Sequence, residues 1–332
     1  MCTSSDCYVP IFNVFWILYG VFGFTFQVIL VFLILYKLPV YLRNLKFYLI
    51  NTACIQLALV LFSFSIQHRL LANKTTLAIL PAGPCKYFGP NVCFASYHFA
   101  MAFGVAAGLA ILITVIFRCL SLTMNGVTRK QSLMLIALSY FVPLYVLVIP
   151  FLAPWDFQSV QHATILDHPT YNLTNYFPFP GFSDLKSFEF ISATILISIA
   201  GYGIPLGCLI LTTKGLRLVK KHQNMKINSW TISTIYITSY IVCSDGFQLY
   251  LHSSNRSRSF NIRLVLLFIS CDYYRLSEHL TLATNALPGL VDPLISFYFI
   301  IPFRHTIIET ILRNKTSRDV VVIAHTSSIA PI

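Results

Sequence analysis

The chain has 332 residues, of which 56% are hydrophobic and only 10% charged, and its mean hydropathy is +0.72. A soluble chain carries about 25% charged residues to cover its surface, so most of this surface faces something other than water. The net charge of +12 does not indicate nucleic acid, because the basic residues are spread over short segments between apolar runs.

Those runs, in chain order, are 11–36, 47–67, 93–117, 132–152, 188–212 and 279–303. Each approaches or exceeds the ~20 residues that cross a bilayer core. Unbroken runs exclude a membrane β-barrel, which shows alternating segments of about ten residues. The sequence therefore predicts an all-α integral membrane protein. With a weakly encoded sixth helix at 229–246, it is a seven-transmembrane-helix bundle over residues 1–304 with a cytoplasmic tail at 305–332.

Basic residues set the orientation. Fifteen of the 23 Lys and Arg follow the first, third, fifth and last runs, whereas 1–36 has none, 67–92 has three and 153–187 has one. The positive-inside rule then puts the N-terminus outside and the C-terminus in the cytoplasm. The opening "MCTSSDCYVP" lacks the basic region of a signal peptide, so the first run is read as an uncleaved membrane helix. A tail of about ten residues before it is too short to fold as a binding domain, which leaves a ligand site among the helices and outer loops. Asn73 and Asn172 head Asn-x-Thr sequons in loops assigned outside, and Asn314 heads one inside; the first two are candidate glycosylation sites.

Gly104 and Gly108 in the third run, and Gly203 and Gly207 in the fifth, let helices approach closely. Pro143, Pro205, Pro288 and Pro293 lie inside apolar runs, where neighbouring helices satisfy the freed carbonyls. The sixth segment is the weak place. Six of the fifteen residues in "SWTISTIYITSYIVC" (229–243) are Ser or Thr, and fifteen residues rise only about 22 Å against a core of about 30 Å. Asp245 interrupts it, and Arg256, Arg258 and Arg263 follow.

Nine cysteines show no Cys-x-x-Cys and no metal spacing. Cys54, Cys119, Cys208 and Cys243 are expected to be buried thiols, while Cys2, Cys7, Cys85 and Cys93 fall on the oxidising side, where disulfides persist. Asp156, His162, Asp167, His168 and Asp184 share one outer loop at spacings that fit neither a metal site nor a triad. No enzyme, cofactor or metal is expected.

The last run carries the most chemistry. At 100° per residue, Glu278, Thr281, Asn285, Asp292 and Ser296 fall within about 60° of one another. A carboxylate at mid-membrane costs at least about 2.5–3.5 kcal/mol, so this stripe is expected to turn inward, with Asn51 and Gln56 of the second helix as partners. Arg118 ends the third run, where a cation can reach the interface.

With Arg118 closing the third helix and Asp292-Pro293 in the seventh, the chain resembles a G-protein-coupled receptor. That superfamily carries Asn/Asp-Pro-x-x-Tyr in its seventh helix. Here "DPLIS" puts Ser296 at the aromatic position, with Tyr298 two residues on. More specifically, the chain resembles the nematode serpentine receptor class delta (Srd) chemoreceptors. The likeness rests on "LINTACIQLALVLFSF" (49–64), "GPCKYFGPNVCFASYH" (83–98), "PFLAPWDF" (150–157), "HPTYNLTNYFPFPGFSDLKS" (168–187), "YGIPL" (202–206) and "EHLTLATNALPGLVDPLISFYFIIPFR" (278–304).

The resemblance implies a chemosensory receptor in the plasma membrane of a sensory-neuron cilium. Its partners would be the lipid bilayer, a small-molecule ligand and a heterotrimeric G protein. Asp292, Pro293, Asn285, Ser296, Tyr298 and Asn51 would form the switching polar network, and Arg118 and Arg304 the G-protein face. The superfamily ties its third helix to the second outer loop by a disulfide, but that loop has no cysteine here; Cys85 would pair with Cys93 or with Cys2 or Cys7. Residues 227–275 depart from the family's sixth helix, which leaves a misread exon, an altered frame or a decayed, non-signalling receptor as alternatives. A channel or transporter using Asp292 is a further alternative; it would show internal repeats, and none is visible.

Overall fold

The computed structural model describes residues 8–38, 43–123, 128–223, 278–280, 282–299 and 303. The expected sixth helix at 229–246, Thr281, Cys2, Cys7, Cys243, Arg304 and the tail at 305–332 lie outside the described residues. The elements are α1 (Val9–Tyr36), α2 (Arg43–Ile66), β1 (His68–Ala72), β2 (Leu77–Pro81), α3 (Pro90–Thr123), α4 (Arg129–Ser139), α5 (Phe141–Val148), α6 (Phe157–Asp167), β3 (Gly181–Phe182), α7 (Phe188–Gln223) and α8 (Pro288–Phe299). Five helical stretches among them are long and apolar enough to cross a membrane: Val9–Tyr36, Leu45–Ile66, Pro90–Phe117, Arg129–Phe151 and Phe188–Gly215. They coincide with the first five runs. The helical turns at 278–280 and 282–286 lead into α8 and occupy the last run.

The helices invert the soluble pattern. Along α1 the inward face is Phe12, Trp16, Tyr19, Gly23, Gln27 and Leu30, spaced three or four residues apart, as one face of a helix requires. Its opposite face leaves Ile17 60% and Val21 59% exposed, while Gln27 and, on α2, Gln56 are fully buried. Apolar outside and amide inside is the arrangement that a hydrocarbon solvent favours.

α3 sits at the centre, packed against α2, α5 and α7, and α1 packs against α2 and α8. Three of the four expected small-residue contacts work within the bundle, whereas a Cβ on Gly203 would meet nothing within 4 Å. A Cβ on Gly104 would lie 2.8 Å from the Asn285 amide oxygen, and one on Gly108 would lie 3.0 Å from Ile204 of α7.

Two helices outrun their apolar runs. α3 continues past residue 117 to Thr123, and α7 continues past 212 to Gln223. The backbone keeps its hydrogen bonds in water, and the Leu, Arg and Lys of the α7 extension are good helix formers, so hydropathy marks where lipid ends rather than where the helix ends. The fourth run, by contrast, divides. Pro143 has no N–H for the Ser139 carbonyl; α4 stops there, and the Tyr140 N–H returns to Ala137. At its start, Thr128 and Gln131 exchange side-chain and backbone hydrogen bonds in a capping box.

A three-stranded antiparallel sheet, in the order β1-β2-β3, lies in the segments that the sequence leaves as loops. β1 pairs with β2 from His68↔Pro81 to Ala72↔Leu77, and β3 joins through Leu77↔Phe182 and Ala78↔Gly181. The disulfide Cys85–Cys93 ties the 3-10 turn Pro84–Phe88, which follows β2, to the first turn of α3. Gly181 is needed for the third strand to come this close, because a Cβ there would lie 2.2 Å from the Leu77 carbonyl oxygen. Gly201, with nothing within 4 Å of its would-be Cβ, is the matched control. Gly181→Ala is expected to destabilise the purified chain by about 1–3 kcal/mol, the usual range for overpacking. Gly201→Ala should leave the thermal unfolding midpoint in detergent near that of the parent.

Candidate functional site

β1 is covered on both faces. Leu70 packs with Ile66, Ile79 and Phe94, whereas Leu71 packs with Leu80, Val160 and Phe179 beneath α6. Alternation along the strand puts His68 with Leu70 and Arg69 with Leu71. His68 lies edge-on to Tyr97, with ring centroids 4.9 Å apart, and burial pushes its imidazole down to about 3, so it packs as a neutral ring.

Arg69 has no such option. Its side chain is 2% exposed, and its Nε donates to Oε2 of Glu278 at 2.6 Å; the Glu278 side chain is 5% exposed. Burial works against the guanidinium charge, but the Glu278 carboxylate more than offsets it and leaves the pKa above its ordinary value. The Tyr171 hydroxyl donates to Oε1 of Glu278 at 3.3 Å, and the Arg69 guanidinium lies 4.9 Å from the Tyr171 ring centroid. A strand, the loop after α6 and the first turn of the last helical run thus converge on one buried ion pair. Beside it is a small cavity of about 10 Å³, the room of about one water molecule, bounded by the start of α1.

The last run does not form one continuous helix. The Leu287 N–H is shared between the carbonyls of Ala283 and Thr284, and Pro288, which cannot donate, opens α8. The stripe expected at constant phase is therefore split. Glu278 belongs to the sheet end, and Asn285 faces α3, with Nδ2 4.0 Å from Met101 Sδ. Asp292 and Ser296 are half-buried on α8, where Pro293 is buried. Tyr298 lies near the end of α8.

The partners expected for Asp292 are used elsewhere. Asn51 Oδ1 accepts from the Tyr140 hydroxyl at 2.6 Å. Gln56 Oε1 accepts from Gln27 Nε2 at 2.8 Å, and Gln27 Nε2 also donates to the Gly289 carbonyl at 2.8 Å. These bonds make a buried polar seam between α1, α2 and α8. Arg118 lies on α3, which runs on to Thr123 instead of closing there.

Asn73, the first candidate sequon asparagine, has its amide engaged by neighbouring side chains. It is buried in the β1–β2 turn, and its Nδ2, the atom that a glycan would occupy, donates to Thr76 Oγ1 at 2.6 Å and Thr164 Oγ1 at 2.9 Å. Asn172 is exposed and uses only Oδ1, which accepts from Thr174. The other polar residues around α6 hold the loop together. Asp156 caps α6 through the Ser159 N–H, and Asp184 accepts from the Lys186 N–H. The Lys74 backbone N–H, and its ammonium at 3.4 Å, hold the Asp167 carboxyl below its ordinary pKa. Among the described residues no cluster of three His, Cys, Asp or Glu could hold a metal. Of the cysteines expected to be buried, Cys208 is, Cys119 is half-buried, and Cys54 is exposed on the outer face of α2.

Sequence reasoning missed Arg69 and Gln27. Arg69 was counted as a loop charge, although its setting in "HRLLA" between apolar stretches is a strand pattern. Gln27 is an amide deep inside a 26-residue apolar run whose other amide, Asn13, lies near its start, and that depth points it inward.

Comparison with known proteins matches residues 12–309 to the family described as "Serpentine type 7TM GPCR chemoreceptor Srd". Serpentine receptor class delta-59 of Caenorhabditis elegans is 44% identical, over 99% of both chains. Serpentine receptor class delta-51 of the same organism is 28% identical, over 82% of this chain and 79% of its own. Serpentine receptor class delta-50, also from that organism, is 27% identical over 90% of each.

Because each charge of the pair is buried, removing one leaves the other uncompensated. Arg69→Leu alone is expected to destabilise the protein by about 3–5 kcal/mol. Arg69→Leu with Glu278→Leu should recover most of that loss in the thermal unfolding midpoint.

Proposed function

This chain belongs to the Srd family of serpentine chemoreceptors, and we propose that it binds a small external molecule in the ciliary plasma membrane of a sensory neuron and signals to a heterotrimeric G protein. The observation that carries this reading is the Arg69–Glu278 pair at 2.6 Å. It ties the sheet, with a cavity alongside, to the helical turns that lead through Asn285 to Asp292 and Pro293. A ligand that disturbs the pair would bias the position of the last helix against α1–α3, which is how differential contacts shift a two-state equilibrium.

In this reading the sheet end faces outward. Asn51, Asn285, Asp292, Pro293, Ser296 and Tyr298 then lie along the switching path, and Arg118 and Arg304 face the G protein. The weak distribution of basic charge in 67–92 and 153–187 supports that orientation. The family match extends to residue 309, beyond the polar stretch at 227–275, which supports counting 229–246 as the sixth span. The split of the last run at Pro288 gives the path a joint above Asp292.

Topology is the decisive check. A tag placed after Ile332 should bind antibody only in permeabilised cells, and labelling on intact cells would overturn the receptor reading. In the same cells, Asn172→Gln should abolish a glycosidase-sensitive gel shift, and Asn73→Gln should leave that shift in place.

A further inference from the structure

The end of the bundle away from the sheet gathers positive charge with nothing of opposite sign. α1 starts beside Arg69 and, at 28 residues, ends about 42 Å away. There its last turn lies against the start of α2. Lys46 of α2 donates through Nζ to the Leu35 carbonyl at 2.9 Å, which holds an ammonium over the negative end of α1. Arg129, the first residue of α4, lies with its guanidinium 5.1 Å from the ring centroid of Phe47, the residue after Lys46. Lys37 follows α1 and Lys130 follows Arg129; both, like Arg129, are exposed. Three helix ends thus bring four cations to one corner. No Asp or Glu occurs between Asp6 and Asp156, so α1, α2, α3 and α4 offer these cations no carboxylate.

Neither contact uses up its cation. An ammonium has three N–H donors, and Lys46 gives one to Leu35. A guanidinium stacked through its face keeps its edge N–H groups free, and these fit a phosphate in pairs. Apolar surface adjoins the charges. Leu35 and Tyr36 precede Lys37, Leu133 and Met134 lie a turn beyond Arg129 and Lys130, and all four are exposed. Cations at the edge of an apolar face match a ligand whose anionic head and hydrocarbon body are joined.

We propose that this corner binds a phospholipid whose headgroup carries several phosphate charges. Lys37, Lys46, Arg129 and Lys130 hold the head, and the apolar faces of α1 and α4 hold the acyl chains. Four cations in one place outmatch a headgroup of single charge. The inference rests on the reading that puts this end in the cytoplasm, whose leaflet holds the anionic lipids that such basic clusters attract. The bound lipid joins the ends of α1, α2 and α4.

The test titrates the full chain, in a neutral detergent, with phosphatidylserine or a phosphoinositide bisphosphate at equal anionic charge, and native mass spectrometry reads the lipid-bound fraction. The phosphoinositide is expected to bind saturably and ahead of phosphatidylserine, and its soluble headgroup, without chains, more weakly than the lipid. Lys37→Gln with Arg129→Gln is expected to weaken phosphoinositide binding by about thirtyfold, about fivefold for each cation near an anionic surface. Lys86→Gln with Lys186→Gln removes the same charge from exposed cations at the sheet end and should leave binding unchanged. Every variant is first matched to the parent in melting temperature. If the first pair lowers it, Lys37→Gln with Lys130→Gln, which keeps the Phe47 stack and the Leu35 bond, takes its place. Equal binding of phosphatidylserine or of the soluble headgroup, or an equal loss in both double variants, would overturn the proposal.

This readout involves no G protein and no membrane orientation, so the two readings fail separately. Phosphoinositide binding by a chain whose C-terminal tag is exposed on intact cells would leave the headgroup site standing and overturn the receptor reading. A tag confined to the inside, with no phosphoinositide binding, would do the reverse.

Discussion

Arg69 and Glu278 stand 2.6 Å apart in a space that neither charge would enter alone. Each ion loses several kcal/mol of hydration on burial, so their positions are mutually dependent: β1 can hold Arg69 only where the last helical run supplies a carboxylate. The two residues are 209 positions apart in the chain. Tyr171 serves both, donating to the carboxylate and stacking beneath the guanidinium. One contact therefore fixes the sheet, the loop after α6 and the start of the last run in a single arrangement. The Cys85–Cys93 disulfide then anchors the segment after the sheet to α3.

A second constraint comes from the solvent. Lipid does not reward burying Leu or Phe, so helices in it associate through close packing and polar contacts. Both are present. Gly104 admits Asn285, and Gly108 admits Ile204. Gln27 links α1 to Gln56 of α2 and to the Gly289 carbonyl at the start of α8. Replacing such an amide by an apolar side chain would leave its neighbours' polar groups stranded in a medium without water.

Breaks in the helices decide where side chains fall. Pro143 separates α4 from α5, and Tyr140, at the break, reaches Asn51 of α2. Pro288 separates Asn285, which faces Met101 of α3, from Asp292 on α8, so polar residues that share a face on an ideal helix lie on either side of a break. Prolines in these runs are thus structural joints as well as tolerated exceptions.

The sequence by itself determined the membrane class, the first five spans, the family and the inward demand of polar residues in the last run, because each follows from local hydropathy or from contiguous motifs. Only the tertiary structure decided which polar groups meet. Asn51 found Tyr140 rather than Asp292, Gln56 found Gln27, and Glu278 found an arginine that the sequence places in a loop. The sheet was illegible because its three strands are short and the last, of two residues, is separated from the second by about a hundred positions. Asn73 reads as a sequon because three adjacent residues suffice for that, but whether its amide is free depends on Thr164, 91 residues away. A hydrogen bond or an ion pair needs its two groups within about 3 Å of each other. Hydropathy says which groups must find a partner, and only the folded chain brings one within reach.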